Sequence, residues 1–262
     1  MFDEIGDLQN EGQSLQKLLA DLNETDWQRP TPFKQWTVWD VVAHLHLSDK
    51  WAVASLQGAE AFRLASAPVL QALKSGTALT AFTQEHFSEL KGAAILNSWT
   101  ACFAQLATLL ANLDPKARLS WFGPDMGARM FVTARYMETW AHGQDVYDLL
   151  GRERVYTDSI RSIATLGVKT FGFTFANRKL KPPEVQPYVR LLAPSGAIWE
   201  WNAPSDSDRV EGLASEFCHV VTQGRNIADT QLQVQGTAAE QWMAIAQCFA
   251  GAPEDPPAAG SR

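Results

Sequence analysis

The sequence predicts a two-domain α+β protein: an all-helical bundle over residues 1–151, then a small mixed α/β sheet domain over 152–250. Two observations carry this. Up to about residue 150, apolar residues recur at helical spacing between clear breakers. After Gly151 the texture changes, and short β-type runs flank turn residues and alternate with amphipathic helices. The remaining stretch, 251–262, is rich in Pro, Ala and Gly and is expected to be a disordered tail. At 262 residues the chain is long enough for one large domain or two modest ones, and 46% hydrophobic with 19% charged residues is an ordinary globular composition.

The elements follow in order. Leu8, Leu15, Leu18, Leu19 and Leu22 mark a first helix, ended by Arg29-Pro30-Thr31-Pro32. A second begins at Thr37, an N-cap residue, with Asp40 placed where a carboxylate faces the free N–H groups of the first turn. Val38, Val41, Val42, Leu45, Ala52, Val53 and Leu56 form its apolar stripe. Residues 60–91 read as shorter helical pieces. A third long helix covers about 93–112 and stops at Asp114-Pro115, and 120–127 is a Gly/Pro loop. A fourth runs from about 128 to 150, with Gly151 past its end. Four main helices, two joined by a longer crossing connection, predict a bundle. In the second half, 158–177 reads as helix, 188–192 and 198–201 as a hairpin, 211–223 as helix and 230–235 as a strand. Trp242, Ile245, Ala246 and Phe249 mark one face of a last helix.

Bulk chemistry excludes several classes. A net charge of -7 with no Lys/Arg cluster argues against nucleic acid and against an anionic membrane surface. No apolar run is expected to cross a bilayer, and the acidic start of the chain shows no secretory signal, so the expected location is the cytoplasm, as monomer or homodimer. Cys102, Cys218 and Cys248 are odd in number and scattered, which argues against a disulfide framework and against a cysteine zinc site and predicts buried small hydrophobes.

One constellation carries chemistry. Glu138 and His142 lie four apart in the fourth helix, so their side chains point the same way one turn apart, beside the stripe Met130, Ala134, Met137, Ala141. That is what a divalent metal needs from one helix, although such pairs are also common on helix surfaces. The second helix offers His44 and His46 as a further ligand, and periodicity does not choose between them. Asp145, three residues after His142, is placed to accept a hydrogen bond from it. Trp39 and Trp140 are candidates for lining a pocket, though helical aromatics usually pack in a core.

The stretch Trp36-Thr-Val-Trp-Asp-Val-Val-Ala-His44-Leu, together with Glu138-x-x-x-His142-Gly-x-Asp145, resembles the two signatures of the mycothiol-dependent maleylpyruvate isomerase family, over about residues 5–150. The resemblance implies a DinB-like four-helix bundle in which His44, Glu138 and His142 hold a zinc-type ion and His46 does not. More loosely, Val220-Val-Thr-Gln-Gly-Arg225-Asn226 followed by Gly236-x-x-Ala239-x-x-Trp242 resembles the end of that family's sterol-carrier-like domain. It implies that Arg225 faces the metal and binds substrate.

Three protein ligands leave a position open, the pattern of a catalytic site. An exogenous thiol bound there would be favoured as its thiolate. The resemblance therefore implies an enzyme using a low-molecular-weight thiol such as mycothiol, as isomerase or thiol transferase, on a small anionic substrate. Imidazole and carboxylate ligands suit zinc first, with nickel or iron also compatible. The alternative is a non-catalytic protein that binds a metal and an apolar ligand, in which a fourth protein ligand would close the site.

Overall fold

The computed structural model describes residues 3–262 and divides into two compact units, one ending at Leu150 and one beginning at Gly151. In the first unit, α1 (Asp3–Ala20), α2 (Val38–Gln57), α5 (Ala93–Ala111) and α6 (Ala128–Leu150) form a four-helix bundle in which α1 and α2 each pack on both α5 and α6. Between α2 and α5 the chain makes two shorter helices, α3 (Ala59–Lys74) and α4 (Leu79–His86). A two-stranded ribbon, β1 (Arg118–Leu119) and β2 (Met126–Gly127), spans the Gly/Pro loop before α6.

The bundle forms because each helix has an apolar face to bury. Ile5, Leu8, Leu15 and Leu19 of α1 are buried, whereas Leu18 and Leu22 lie at the edge of the stripe. Helices α1 and α5 approach closely at Gly12, where a Cβ would collide with the Phe103 ring. Helix α5 buries Ile95, Leu96, Trp99, Phe103, Leu106 and Leu110. By length and composition it is apolar enough to cross a membrane, contrary to the sequence reading, yet that buried stripe makes it a core helix of the bundle. Helix α6 ends at Gly151, whose φ of 60° is the left-handed conformation that stops a helix.

Helix α2 begins with a reciprocal capping box. Thr37 Oγ1 accepts from the Asp40 N–H at 3.1 Å, and Asp40 Oδ2 accepts from the Thr37 N–H at 2.9 Å. Asp40 Oδ1 also accepts from Gln84 Nε2 at 2.7 Å, tying α4 to the same turn. Thr37→Ala should lower unfolding stability by about 1 kcal/mol in a urea titration, and no change would mean that this cap does not hold the start of α2.

In the second unit α7 (Arg161–Lys169), α8 (Phe171–Asn177), α9 (Ala214–Val221) and α10 (Thr237–Ile245) accompany a four-stranded sheet of order β4-β3-β5-β6. β3 (Tyr188–Leu192) and β4 (Ile198–Trp201) form the expected hairpin, with Leu192 opposite Ile198. β5 (Arg209–Leu213) runs parallel to β3, and β6 (Gln233–Gln235) antiparallel to β5.

Several sequence expectations are corrected here. Residues 209–213 are a strand, so the helix expected from 211 starts at Ala214. The 158–177 helix is interrupted at Thr170. The last helix stops at Ile245, because Ala246 turns extended with ψ 135°. Residues 251–262 are not a free tail. The backbone carbonyl of Glu254 accepts from Gln223 Nε2 at 2.7 Å, that of Pro257 from Asn226 Nδ2 at 2.8 Å, and the Gly260 N–H donates to Asp229 Oδ1 at 2.8 Å. These polar anchors order a segment whose composition alone supplies no core residues.

Candidate metal centre

His44 sits two turns into α2, and Glu138 and His142 sit one turn apart on α6, which packs against α2. The structure brings the three together with one donor atom of each within 4.8 Å of the others. His44 Nε2 lies 3.5 Å from Glu138 Oε2, and His142 Nε2 lies 3.6 Å from the same oxygen. These separations are long for a direct hydrogen bond. They match the edges of a tetrahedron: ligand bonds of about 2.0–2.2 Å place donor atoms roughly 3.3–3.5 Å apart.

Protonation logic points the same way. His142 Nδ1 faces Asp145 Oδ2 at 3.3 Å, and Asp145 is buried. An acceptor there favours the tautomer in which Nδ1–H donates to Asp145 and the Nε2 lone pair faces Glu138. Burial holds the His44 imidazole below its ordinary range, in the neutral form that ligates. Burial alone would raise Glu138, but its interactions with His44, His142 and Arg135 more than offset it and hold the carboxyl at about 2. Two imidazole nitrogens and a carboxylate oxygen converging on one point fit a shared cation. The Glu138 side chain keeps 25% exposure, against 14% for His44 and 11% for His142, so the centre is reachable from the Glu138 side.

An aromatic wall stands over the two imidazoles. The Trp36 ring stacks on His142 at 5.6 Å between centroids and 7° between planes, and lies 5.3 Å from His44. Phe33 meets His142 edge-on at 5.1 Å and Trp36 at 4.9 Å. Both rings are carried by a tight turn in which the Trp36 N–H donates to the Phe33 carbonyl at 2.8 Å, and the Thr31 N–H to the Trp36 carbonyl at 2.7 Å. Its central residues, Lys34 and Gln35, have φ of 48° and 59°. Two successive left-handed residues without glycine cost roughly 1–2 kcal/mol each.

Beneath the centre, Arg135 of α6 and Asp49 of α2 form a buried pair: Arg135 Nε and Nη2 donate to Asp49 Oδ1 at 3.1 and 3.0 Å. Trp99 Nε1 donates to the other oxygen, Oδ2, at 2.9 Å. Arg135 lies one turn from Glu138, and its charge helps to keep that carboxyl ionised.

His46 points elsewhere: its Nε2 is 2.9 Å from Ser98 Oγ, and its ring stacks on Phe87 at 4.7 Å. Trp140 is fully buried, and Trp39 Nε1 donates to the Leu90 carbonyl. The site aromatic is Trp36, whose signal was its place immediately before the N-cap of the helix that carries His44. Arg225 lies in the second unit, just past α9; its backbone N–H donates to the His219 carbonyl at 3.2 Å and its Nη1 to the Gly224 carbonyl at 2.8 Å.

Fold and site define a helical-bundle protein with a two-histidine, one-glutamate centre. Residues 8–147 match the mycothiol maleylpyruvate isomerase N-terminal domain, and the chain belongs to that family. Two uncharacterized proteins of Mycobacterium tuberculosis, from strains CDC 1551 / Oshkosh and ATCC 25618 / H37Rv, are each 36% identical over 252 residues, covering 95% of this chain and 96% of the relative. Among solved structures, the mycothiol-dependent maleylpyruvate isomerase is similar with a TM-score of 0.53 and 14% identity, over 83% of this chain and 87% of that one. A histidine-to-alanine mutant of it gives 0.55 and 13%, with the same coverage. At these identities the likeness shows a shared fold.

Proposed function

We propose that this protein is a metal-dependent enzyme that uses a low-molecular-weight thiol, such as mycothiol, as an isomerase or thiol transferase of the maleylpyruvate isomerase type on a small anionic substrate. The observation that carries the reading is the converging donor set of His44, Glu138 and His142, reachable on its carboxylate side. A divalent ion held there, zinc by preference, would stabilise a thiol as its thiolate near neutral pH. The protein's own cysteines are poor sources of that thiolate: burial pushes Cys102 up to about 12 and Cys218 higher than an ordinary thiol, and Cys248 is buried. The nucleophile is therefore taken from outside. In an isomerisation the thiolate would add to one alkene carbon while the alkene pair moves onto the conjugated carbonyl as an enolate; after rotation about the former double bond, collapse of the enolate would expel the same thiolate and leave the trans alkene.

Zinc-loaded protein should turn over a cis-unsaturated dicarboxylate with mycothiol or a related small thiol, and lose that activity on chelation. No turnover with any of a panel of thiols, isomerisation and thiol transfer both being assayed, would overturn the reading. Arg225 is assigned to the substrate carboxylate, since a guanidinium fork pairs with it bidentately. Arg225→Ala and Arg225→Lys should each lower kcat/KM by roughly 30- to 1000-fold with metal content unchanged, because lysine cannot reproduce the fork. Retained activity in the lysine variant would refute the bidentate contact.

A further inference from the structure

We propose that Trp36, carried by the left-handed turn Phe33–Trp36, is the positioning residue of the metal centre and orients the His44 imidazole for ligation. The inference rests on the metal reading above and concerns how this chain prepares the site.

The two histidines are held differently. His142 is oriented by a carboxylate, because its Nδ1 faces Asp145 while its Nε2 faces Glu138. Nδ1 of His44 has no protein hydrogen bond among the described residues, and it is not among the side-chain atoms sealed from solvent without a partner. A ligating imidazole ordinarily gives its second nitrogen to a carboxylate, carbonyl or water, and that contact fixes the ring about its side-chain bonds. At His44 the ring is instead bounded by Trp36 at 5.3 Å with 59° between planes, and by His142 at 4.8 Å with 66°. Trp36 touches both ligand rings at once, stacked on one and tilted on the other. One indole therefore sets the angle between the two imidazoles.

The backbone supports this role. Strained, non-glycine residues persist where the surroundings over-determine them, and they cluster at functional sites. Lys34 and Gln35 are exposed, so no core packing demands their left-handed conformation. What the turn achieves is the delivery of Phe33 and Trp36, side by side, onto His142 and His44. The pairing of Pro30 with Thr37 then joins the turn to the capped start of α2, on which His44 lies.

The test is zinc titration of the purified apo protein by competition with a chromophoric chelator, paired with the visible spectrum of the cobalt(II) form, which reports coordination geometry. Trp36→Leu keeps an apolar side chain but removes the planar ring. It should weaken zinc binding by about 10- to 100-fold and reduce the intensity of the four-coordinate cobalt bands, while the apo melting temperature stays close to wild type. Trp36→Phe should recover most of both signals. Gln35→Val leaves every ring in the sequence but places a β-branched residue where φ is positive, and should lower zinc affinity in the same direction. Lys34→Gly and Gln35→Gly keep the turn and should leave affinity unchanged. Wild-type affinity and an unaltered cobalt spectrum in Trp36→Leu and Gln35→Val would overturn the role of the turn and leave the metal site standing. A wild-type protein that takes up no zinc in the same titration would overturn both.

Discussion

His142→Ala is expected to reduce zinc content from close to one equivalent per chain to a small fraction of that, with Glu138→Gln and His44→Ala close behind. The geometry gives the reason. The donors of His44 and His142 both lie about one tetrahedral edge from a single Glu138 oxygen, at 3.5 and 3.6 Å, so each ligand closes a face that the other two cannot close alone. If a binding energy of roughly 10–16 kcal/mol is shared among four ligands, each is worth about 2.5–4 kcal/mol, or roughly 70- to 1000-fold in affinity. Asp145→Asn, which weakens the hold on the His142 tautomer without removing a ligand, should cost less, about 10- to 100-fold. His46→Ala is the discriminating control, because its ring is engaged with Ser98 and Phe87. Metal analysis by mass spectrometry on the variants, purified identically, decides the matter. A His142→Ala protein with wild-type zinc, or a His46→Ala protein that has lost it, would refute the assignment.

The second large effect is on stability. Asp49 and Arg135 are buried, and each satisfies the other with help from Trp99. Removing one partner leaves an uncompensated charge inside the bundle, where a penalty of about 3–5 kcal/mol is usual. Asp49→Ala and Arg135→Ala should each lower the urea midpoint correspondingly, and the melting temperature by about 6–20 °C. The double replacement Asp49→Leu with Arg135→Met should recover most of the loss, since replacing both charges by packed apolar groups is often neutral. A double variant as unstable as the singles would show that the pair's hydrogen-bond geometry, rather than its charge balance, holds α2 to α6.

How far the sequence revealed this arrangement depends on the range of the forces involved. The bundle helices are local objects: the stripe of α1, the Thr37–Asp40 cap and Gly151 are written within a few residues of one another, and periodicity reads them. The choice between His44 and His46 is not local. Both lie near the apolar face of α2, and only the place of α6 and of Ser98 decides which ring meets Glu138; the resemblance to a known family, not spacing, pointed to His44. The turn at Lys34-Gln35 was hidden for a different reason, since neither residue is the Gly or Asn that announces a left-handed backbone. The Asp49–Arg135 pair joins two helices far apart in the chain, so no window of sequence contains it. β5 was missed because Arg209-Val-Glu-Gly-Leu213 has a single fully buried side chain, Val210, too little alternation to signal a strand.

Because the donors come from α2 and α6, an ion between them would act as a clasp joining an early and a late segment of the bundle. A clasp that grips only the folded chain makes durability a function of supply. Each tenfold rise in free metal above the dissociation constant would add about 1.4 kcal/mol to the free energy of unfolding. A strong chelator would then behave as a mild denaturant directed at one seam, and amide exchange would quicken first along the facing turns of α2 and α6. In a metal-starved cell the protein would lose its lifetime together with its chemistry, because the same three side chains would govern both.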